Sequence, residues 1–142
     1  MTYLPLGTPL GTPGPDEAPF WAACQQRELR IQRCEACGLH RHPPGPFCPN
    51  CRSEASEWHL VPGTGSVFTF TIVQHAAHPV LKQAVPYNIA VVLLDDADTV
   101  RLVSNVVDVP PDQMAIGLRV RVAWEDAAED RILPRFRRDT RA

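Results

Sequence analysis

The second half of the chain is a series of short apolar runs. SVFTFTIVQ begins at Ser66, YNIAVVLLDD at Tyr87, TVRLVSNVVD at Thr99, LRVRVAWED at Leu118 and RILPRF at Arg131. Each is rich in β-branched or aromatic residues, and turn residues separate most of them, which predicts five strands. In the fourth run Leu118, Val120, Val122 and Trp124 alternate with Arg119, Arg121 and Ala123, so one face is buried and the other wet. Asp95-Asp96-Ala97-Asp98 predicts a hairpin turn, and Pro110 to Gly117 fills the next connection with at most one helical turn. Five short strands with a longer third connection fit a small Greek-key barrel of the OB type over residues 62–138, with a five-stranded open sheet as the competing arrangement.

The first half is patterned differently. Asp16-Glu17-Ala18-Pro19 reads as a helix start, with a capping carboxylate and a proline where a missing N–H does no harm. Phe20, Ala23, Cys24 and Arg27 then recur at helical spacing, predicting a short helix to about Arg27 with a narrow packed stripe. Trp21 falls off that stripe, where it either fills the core or caps a binding surface. Glu28 to Arg33 alternates as a short strand, and Trp58 and Leu60 repeat the alternation further on, so the two can pair as a ribbon. Pro62-Gly63-Thr64-Gly65 marks the boundary with the barrel. Residues 1–15 are rich in proline and glycine and carry no charge, which predicts a flexible or extended arm. Its Tyr3, Leu4, Leu6 and Leu10 suit a partner surface, with simple disorder as the alternative.

Between these halves, CEACGLHRHPPGPFCPNCRS changes the picture. Cys34/Cys37 and Cys48/Cys51 form two Cys-x-x-Cys pairs around a Pro/Gly-rich turn. Each such turn aims two sulfurs at one point, and two of them supply the four thiolates of a structural zinc site. Gly38 suits the tight knuckle after the first pair. A rubredoxin-like iron centre is the sharper alternative, but it needs pairs spaced more widely than these. Four thiolates also leave no open position for metal catalysis. The ion's expected work is to fold a segment too small to hold itself. Nothing at the N-terminus resembles a secretory leader, and no apolar run is long enough to span a membrane, so reduced cysteines and a cytoplasmic location are expected. Cys24, left without a spaced partner, reads as a small buried helix residue.

The 142 residues carry a net charge of −2, which argues against a nucleic-acid binder. Phe68, Phe70 and Trp124 offer aromatic surface, yet no basic residues interleave with them across the barrel. Among other candidate groups, His40, His42 and His59 lie in or beside the cysteine loop and are expected to be solvent-exposed. His75 and His78 sit in QHAAHPVLKQAVPY between the first two barrel strands, with no acidic residue between Glu57 and Asp95 to join them in acid–base work. Contact with a partner suits that loop better. Asp95, Asp96 and Asp98 form one acidic turn, and Glu125, Asp126, Glu129 and Asp130 another; both are expected to be solvated.

The order of the pieces resembles a known family. FW near the start, LRIQRCEACG, CPNC, a Trp before a Gly-x-Gly strand entry, PYNIAVVLL, IGLRVRV and a closing LPRF are similar to domain of unknown function 35, over about residues 16–138. The resemblance implies a rubredoxin-like zinc ribbon with an N-terminal helix (residues 16–61), an OB-fold barrel (62–138) and a tail (139–142). It further implies a non-catalytic subunit held in a hetero-oligomer against a thiolase-superfamily enzyme, either a lipid-transfer-type thiolase or a steroid side-chain aldolase, with a coenzyme A thioester as ligand of the complex. Phe20, Trp21, His75, His78, Arg135, Phe136 and Arg137 are then the candidate contacts to partner or acyl-CoA. The terminal arginines read first as partner docking, then as solvated charge, then as holders of coenzyme A phosphates. The chain departs from the family pattern at Arg52, which stands where glycine is common, so either a less regular second knuckle or a charge that serves a contact is expected. A single-strand nucleic-acid module and a stand-alone acyl-CoA thioesterase or hydratase are the alternative functions.

Overall fold

The computed structural model describes residues 2–128 and 130–141. Met1, Glu129 and Ala142, which fall within the expected arm, acidic turn and tail, lie outside them. One helix, α1 (Ala18–Gln25), packs Phe20, Ala23 and Cys24 inward as its spacing predicts. It stops two residues before the expected Arg27, because Arg27 takes a left-handed backbone with φ 57°. No carboxylate caps it. The amides of Glu17 and Ala18 donate instead to Gly14 O, and the Glu17 carboxylate accepts from Trp21 Nε1 at 3.3 Å.

A three-stranded ribbon follows: β1 (Arg30–Cys34), β2 (His40–Arg41) and β3 (Ser56–Leu60), in the order β2-β1-β3. Gln32 lies opposite Trp58 and Arg30 opposite Leu60, the pairing that the two alternating stretches predict. Buried Gln32 ties the ribbon to its loop, donating to Ser56 Oγ and accepting from the Gly45 amide at 2.8 Å.

The barrel consists of β4 (Thr64–Val73), β5 (Tyr87–Leu94), β6 (Arg101–Ser104), β7 (Arg119–Ala128) and β8 (Arg131–Arg138). Their order is β6-β5-β4-β7-β8, antiparallel throughout, and a parallel bridge between Val106 and Phe136 brings the far edges together. The fold is therefore mainly β, an OB-type near-closed barrel rather than an open sheet. The third strand is shorter than its apolar run. Past Ser104 the Asn88 side chain takes over the pairing, donating to Val106 O and accepting from Val106 N, both at 2.8 Å. That swings the chain across to β8, where the Val107 amide donates to Phe136 O at 2.8 Å. Glu125 and Asp126, expected in a solvated turn, belong to β7.

Helix, ribbon and barrel share one core. Phe20, Cys24, Leu29 and Ile31 pack into the same cluster as Val67, Val92, Val120 and Phe136. The arm has no regular secondary structure, but it is laid along the barrel: Tyr3 Oη accepts from the Asn88 amide at 3.1 Å, and Arg131 Nη2 donates to Gly11 O at 2.9 Å.

Candidate metal centre and the surfaces around it

The two knuckles are built alike. The Gly38 amide donates to Cys34 O and the Arg52 amide to Cys48 O, each at 2.9 Å, and both residues have left-handed backbones, at φ 81° and 66°. Arg52 therefore does not loosen the second knuckle; it adopts the glycine conformation at the cost of a crowded Cβ. The four cysteine sulfurs lie within 4.8 Å of one another, with Cys34 and Cys51 Sγ 3.5 Å apart and Cys37 and Cys48 Sγ 3.6 Å apart. Thiolates about 2.3 Å from a tetrahedral zinc stand roughly 3.8 Å from each other, so the cage fits that ion.

The electrostatics point the same way. The Cys37 amide hydrogen-bonds the Cys34 sulfur and pulls it down to about 6, and the Cys51 amide does the same for Cys48 in direction. Cys51 is pulled down by the Ser53 amide, yet neighbouring Cys34, desolvation, and then Cys37 and Cys48 push it up to about 11. Four thiolates this close repel one another unless a cation sits among them. The cluster is consistent with structural zinc, and a closed four-sulfur shell leaves no position for substrate.

The expected exposed histidines are engaged. His40, with a side chain 8% exposed, bonds Asp98 Oδ2 through Nδ1 at 2.8 Å and His59 Nδ1 through Nε2 at 2.7 Å. This chain of groups fastens the ribbon to the β5–β6 hairpin. His42 packs 5.2 Å from the Phe20 ring, and burial holds its imidazole below the ordinary value, partly offset by nearby Glu17. The sequence hid these links because they join residues far apart in the chain.

The other candidate contacts scatter. Phe20 is 4% exposed and Phe136 is 0% exposed, so both rings serve the core and neither presents a surface. Trp21 is half-buried, edge-on to Phe20 at 5.1 Å, over a cleft of about 420 Å³ that also involves Pro43, Pro44, Val103 and Pro134. His75 and His78 are exposed, and His78 Nδ1 accepts from the Val80 amide at the start of a 3₁₀ turn (Pro79–Leu81). Arg135 is not a free contact. Its guanidinium donates to Glu125 Oε2 at 2.9 Å and to Asn105 Oδ1, and the paired Arg135 and Glu125 side chains are 13% and 9% exposed. Arg137 alone of the three C-terminal candidates is exposed. Buried Cys24, its thiol pushed up to about 12 by burial, is chemically quiet. Among the described residues, no helix is long and apolar enough to cross a membrane.

Known proteins place this architecture. The rubredoxin-like zinc ribbon domain of ChsH2 matches residues 21–57, and the C-terminal OB-fold domain of ChsH2 matches residues 58–125. A probable enoyl-CoA hydratase alpha subunit from Thermomonospora curvata is 42% identical over 86% of this chain, which spans 37% of that protein. The 3-oxo-4,17-pregnadiene-20-carboxyl-CoA hydratase alpha subunit of Mycobacterium tuberculosis is 32% identical over 89% of the chain, which spans 43% of it. The chain thus covers well under half the length of these two relatives. A DUF35 domain-containing scaffold protein from Methanocaldococcus jannaschii is 33% identical, over 78% of this chain and 77% of its own. Among solved structures, an Ltp2-ChsH2(DUF35) aldolase chain superposes with a TM-score of 0.82 at 39% identity, covering 91% of this chain and 98% of that one. A DUF35 protein of unknown function from Sulfolobus solfataricus shares the fold, with a TM-score of 0.62 at 16% identity over 89% and 87% of the two chains. The chain belongs to the DUF35 family in its ChsH2 form, a rubredoxin-like zinc ribbon joined to an OB-fold domain.

Proposed function

We propose that this chain is an accessory subunit that binds and supports a thiolase-superfamily enzyme acting on acyl-CoA, of the lipid-transfer-type thiolase or steroid side-chain aldolase class. The observation that carries this reading is the likeness, along nearly the full length of both chains, to the ChsH2(DUF35) chain of an Ltp2 aldolase. On this reading the thiolase-type fold supplies the groups that act on the thioester. This chain supplies a shaped surface, and its zinc stiffens that surface without touching substrate. The exposed His75–His78 loop and the half-buried Trp21 beside its cleft are the proposed contacts.

The test is co-expression with a thiolase-type subunit from the same source, followed by size-exclusion chromatography. A stable hetero-oligomer is expected; elution of the two as separate species contradicts the reading. The hydratase alpha subunits favour a second reading, in which the same fold accompanies an acyl-CoA hydratase. Co-elution with a hydratase subunit and not with a thiolase-type subunit would select it.

A further inference from the structure

Arg121 on β7 and Arg137 on β8 are direct cross-strand partners, so two guanidinium groups share one face of the barrel. Like charges placed opposite each other on a sheet are destabilising unless something neutralises them. Within the described residues, neither arginine has a side-chain hydrogen bond or an ion pair, and Arg121 Nε is buried without any partner. The nearby carboxylates make their ion pairs elsewhere: Glu125 with Arg135, Asp126 with Arg27, and Asp139 with Arg141, leaving Asp139 only a weaker charge attraction to Arg121. Both unpartnered arginines line a concave cleft of about 730 Å³, together with Glu125, Asp126, Trp124 and Tyr3 of the arm. That volume lies within the usual range, about 300–1,000 Å³, for sites that enclose small molecules.

We propose that this cleft over β7 and β8 is an oxyanion site, in which Arg121 and Arg137 together hold a phosphate group of a small ligand. Planar guanidinium forks match phosphate oxygens in pairs, and a phosphate placed between them removes the repulsion that the free protein carries. A half-buried arginine beside an exposed one suits a ligand that enters with its phosphate foremost and leaves its remainder in the open cleft. The site goes beyond the partner reading and does not rest on it, since it is complete within this one chain.

Pyrophosphate is the probe, titrated calorimetrically into the zinc-loaded chain, with sodium chloride of equal ionic strength as the control. Saturable binding is expected, weakened about tenfold or more by Arg137→Gln, by Arg121→Gln, and further by the double variant, as for loss of charge-assisted hydrogen bonds. Lys82→Gln, outside the cleft, leaves binding unchanged. Thermal unfolding gives a second readout that does not depend on heat signals. Pyrophosphate raises the midpoint of the parent chain by mass action and raises that of Arg137→Gln less, whose own midpoint without anion is higher because the repulsion is gone. A chloride control that matches pyrophosphate, or binding unaffected by both substitutions, overturns the proposal. So does a polyglutamate peptide that binds tighter than pyrophosphate through the same arginines, because the cleft would then be a dock for an acidic segment. Failure here leaves co-elution with the partner untouched, and failure of co-elution leaves the anion titration untouched.

Discussion

Single residues decide how tightly the knuckles and the strand entry are built. Arg52 holds φ 66°, which costs a non-glycine residue about 1–2 kcal/mol, while glycine gains freedom in the unfolded chain worth roughly 0.4–1 kcal/mol. Arg52→Gly is therefore expected to stabilise the protein by about 0.5–1 kcal/mol, read as a higher urea midpoint at unchanged zinc content. Gly65 behaves in the opposite sense. A Cβ there would meet Leu93 O at 2.3 Å and Val92 Cγ1 at 2.9 Å, so β4 and β5 must part to admit it. Gly65→Ala should cost about 1–3 kcal/mol, as overpacking does, and an unchanged midpoint would show that the strands are not so closely held. The identity of both residues is plain in the sequence. Their consequences are not, because φ at position 52 and the approach of Leu93 depend on pairing that only the folded chain reveals.

At the scale of elements, what was legible followed from periodicity and spacing. The helix stripe, the ribbon pairing, the cysteine cage and all five barrel strands obey local rules, and the structure contains each of them. The departures arise where a side chain overrules the backbone pattern. Asn88 ends β6 early by imitating a strand, and a polar residue inside the run YNIAVVLL was the visible signal. Arg135 and Phe136 read as contact residues in the sequence because residue type alone does not show which side of a strand faces the core. Two outcomes test the elements separately. A Cys34→Ser substitution, or a strong chelator, is expected to remove the metal and to release amide protection first in β1, β2 and β3, with β4 and β5 protected longer. Loss of metal with the ribbon's protection intact would deny zinc its structural role.

The β5–β6 hairpin gives the second element-scale outcome. Asp95 accepts from Arg119 and from Thr64 Oγ1 at 2.6 Å, and the Arg119 hydrogen bond, reinforced by that of Thr64 and the Arg119 charge, holds its carboxyl below the ordinary value of 3.8. A depressed native pKa means the unfolded state binds the proton more readily, so this stabilisation is present above about pH 4 and fades as pH falls through the lower native value. The stability difference between the parent and Asp95→Asn should accordingly be constant from about pH 7 down to about pH 4 and shrink below it. A difference independent of pH down to about pH 2 would show that the carboxylate charge is not what the hairpin uses.

For the whole molecule, the ribbon, helix and barrel act as one body because a single core runs through them. The His40–Asp98 bond and the His40–His59 contact add a polar fastening between ribbon and hairpin. Such a body has a fixed outer shape, which suits a subunit whose work is to be recognised. Family membership was readable from the order of motifs; the engaged histidines and the unpartnered arginine pair were not, since each needs residues distant in the chain to meet. The most direct test of the accessory-subunit account is acyl-CoA turnover measured for the thiolase-type subunit alone, for this chain alone, and for the two co-purified. The account predicts no turnover by this chain, little or none by the unaccompanied subunit, and activity that rises with complex formation. Turnover by this chain alone at enzyme-like rates, or a partner indifferent to its presence, would contradict it.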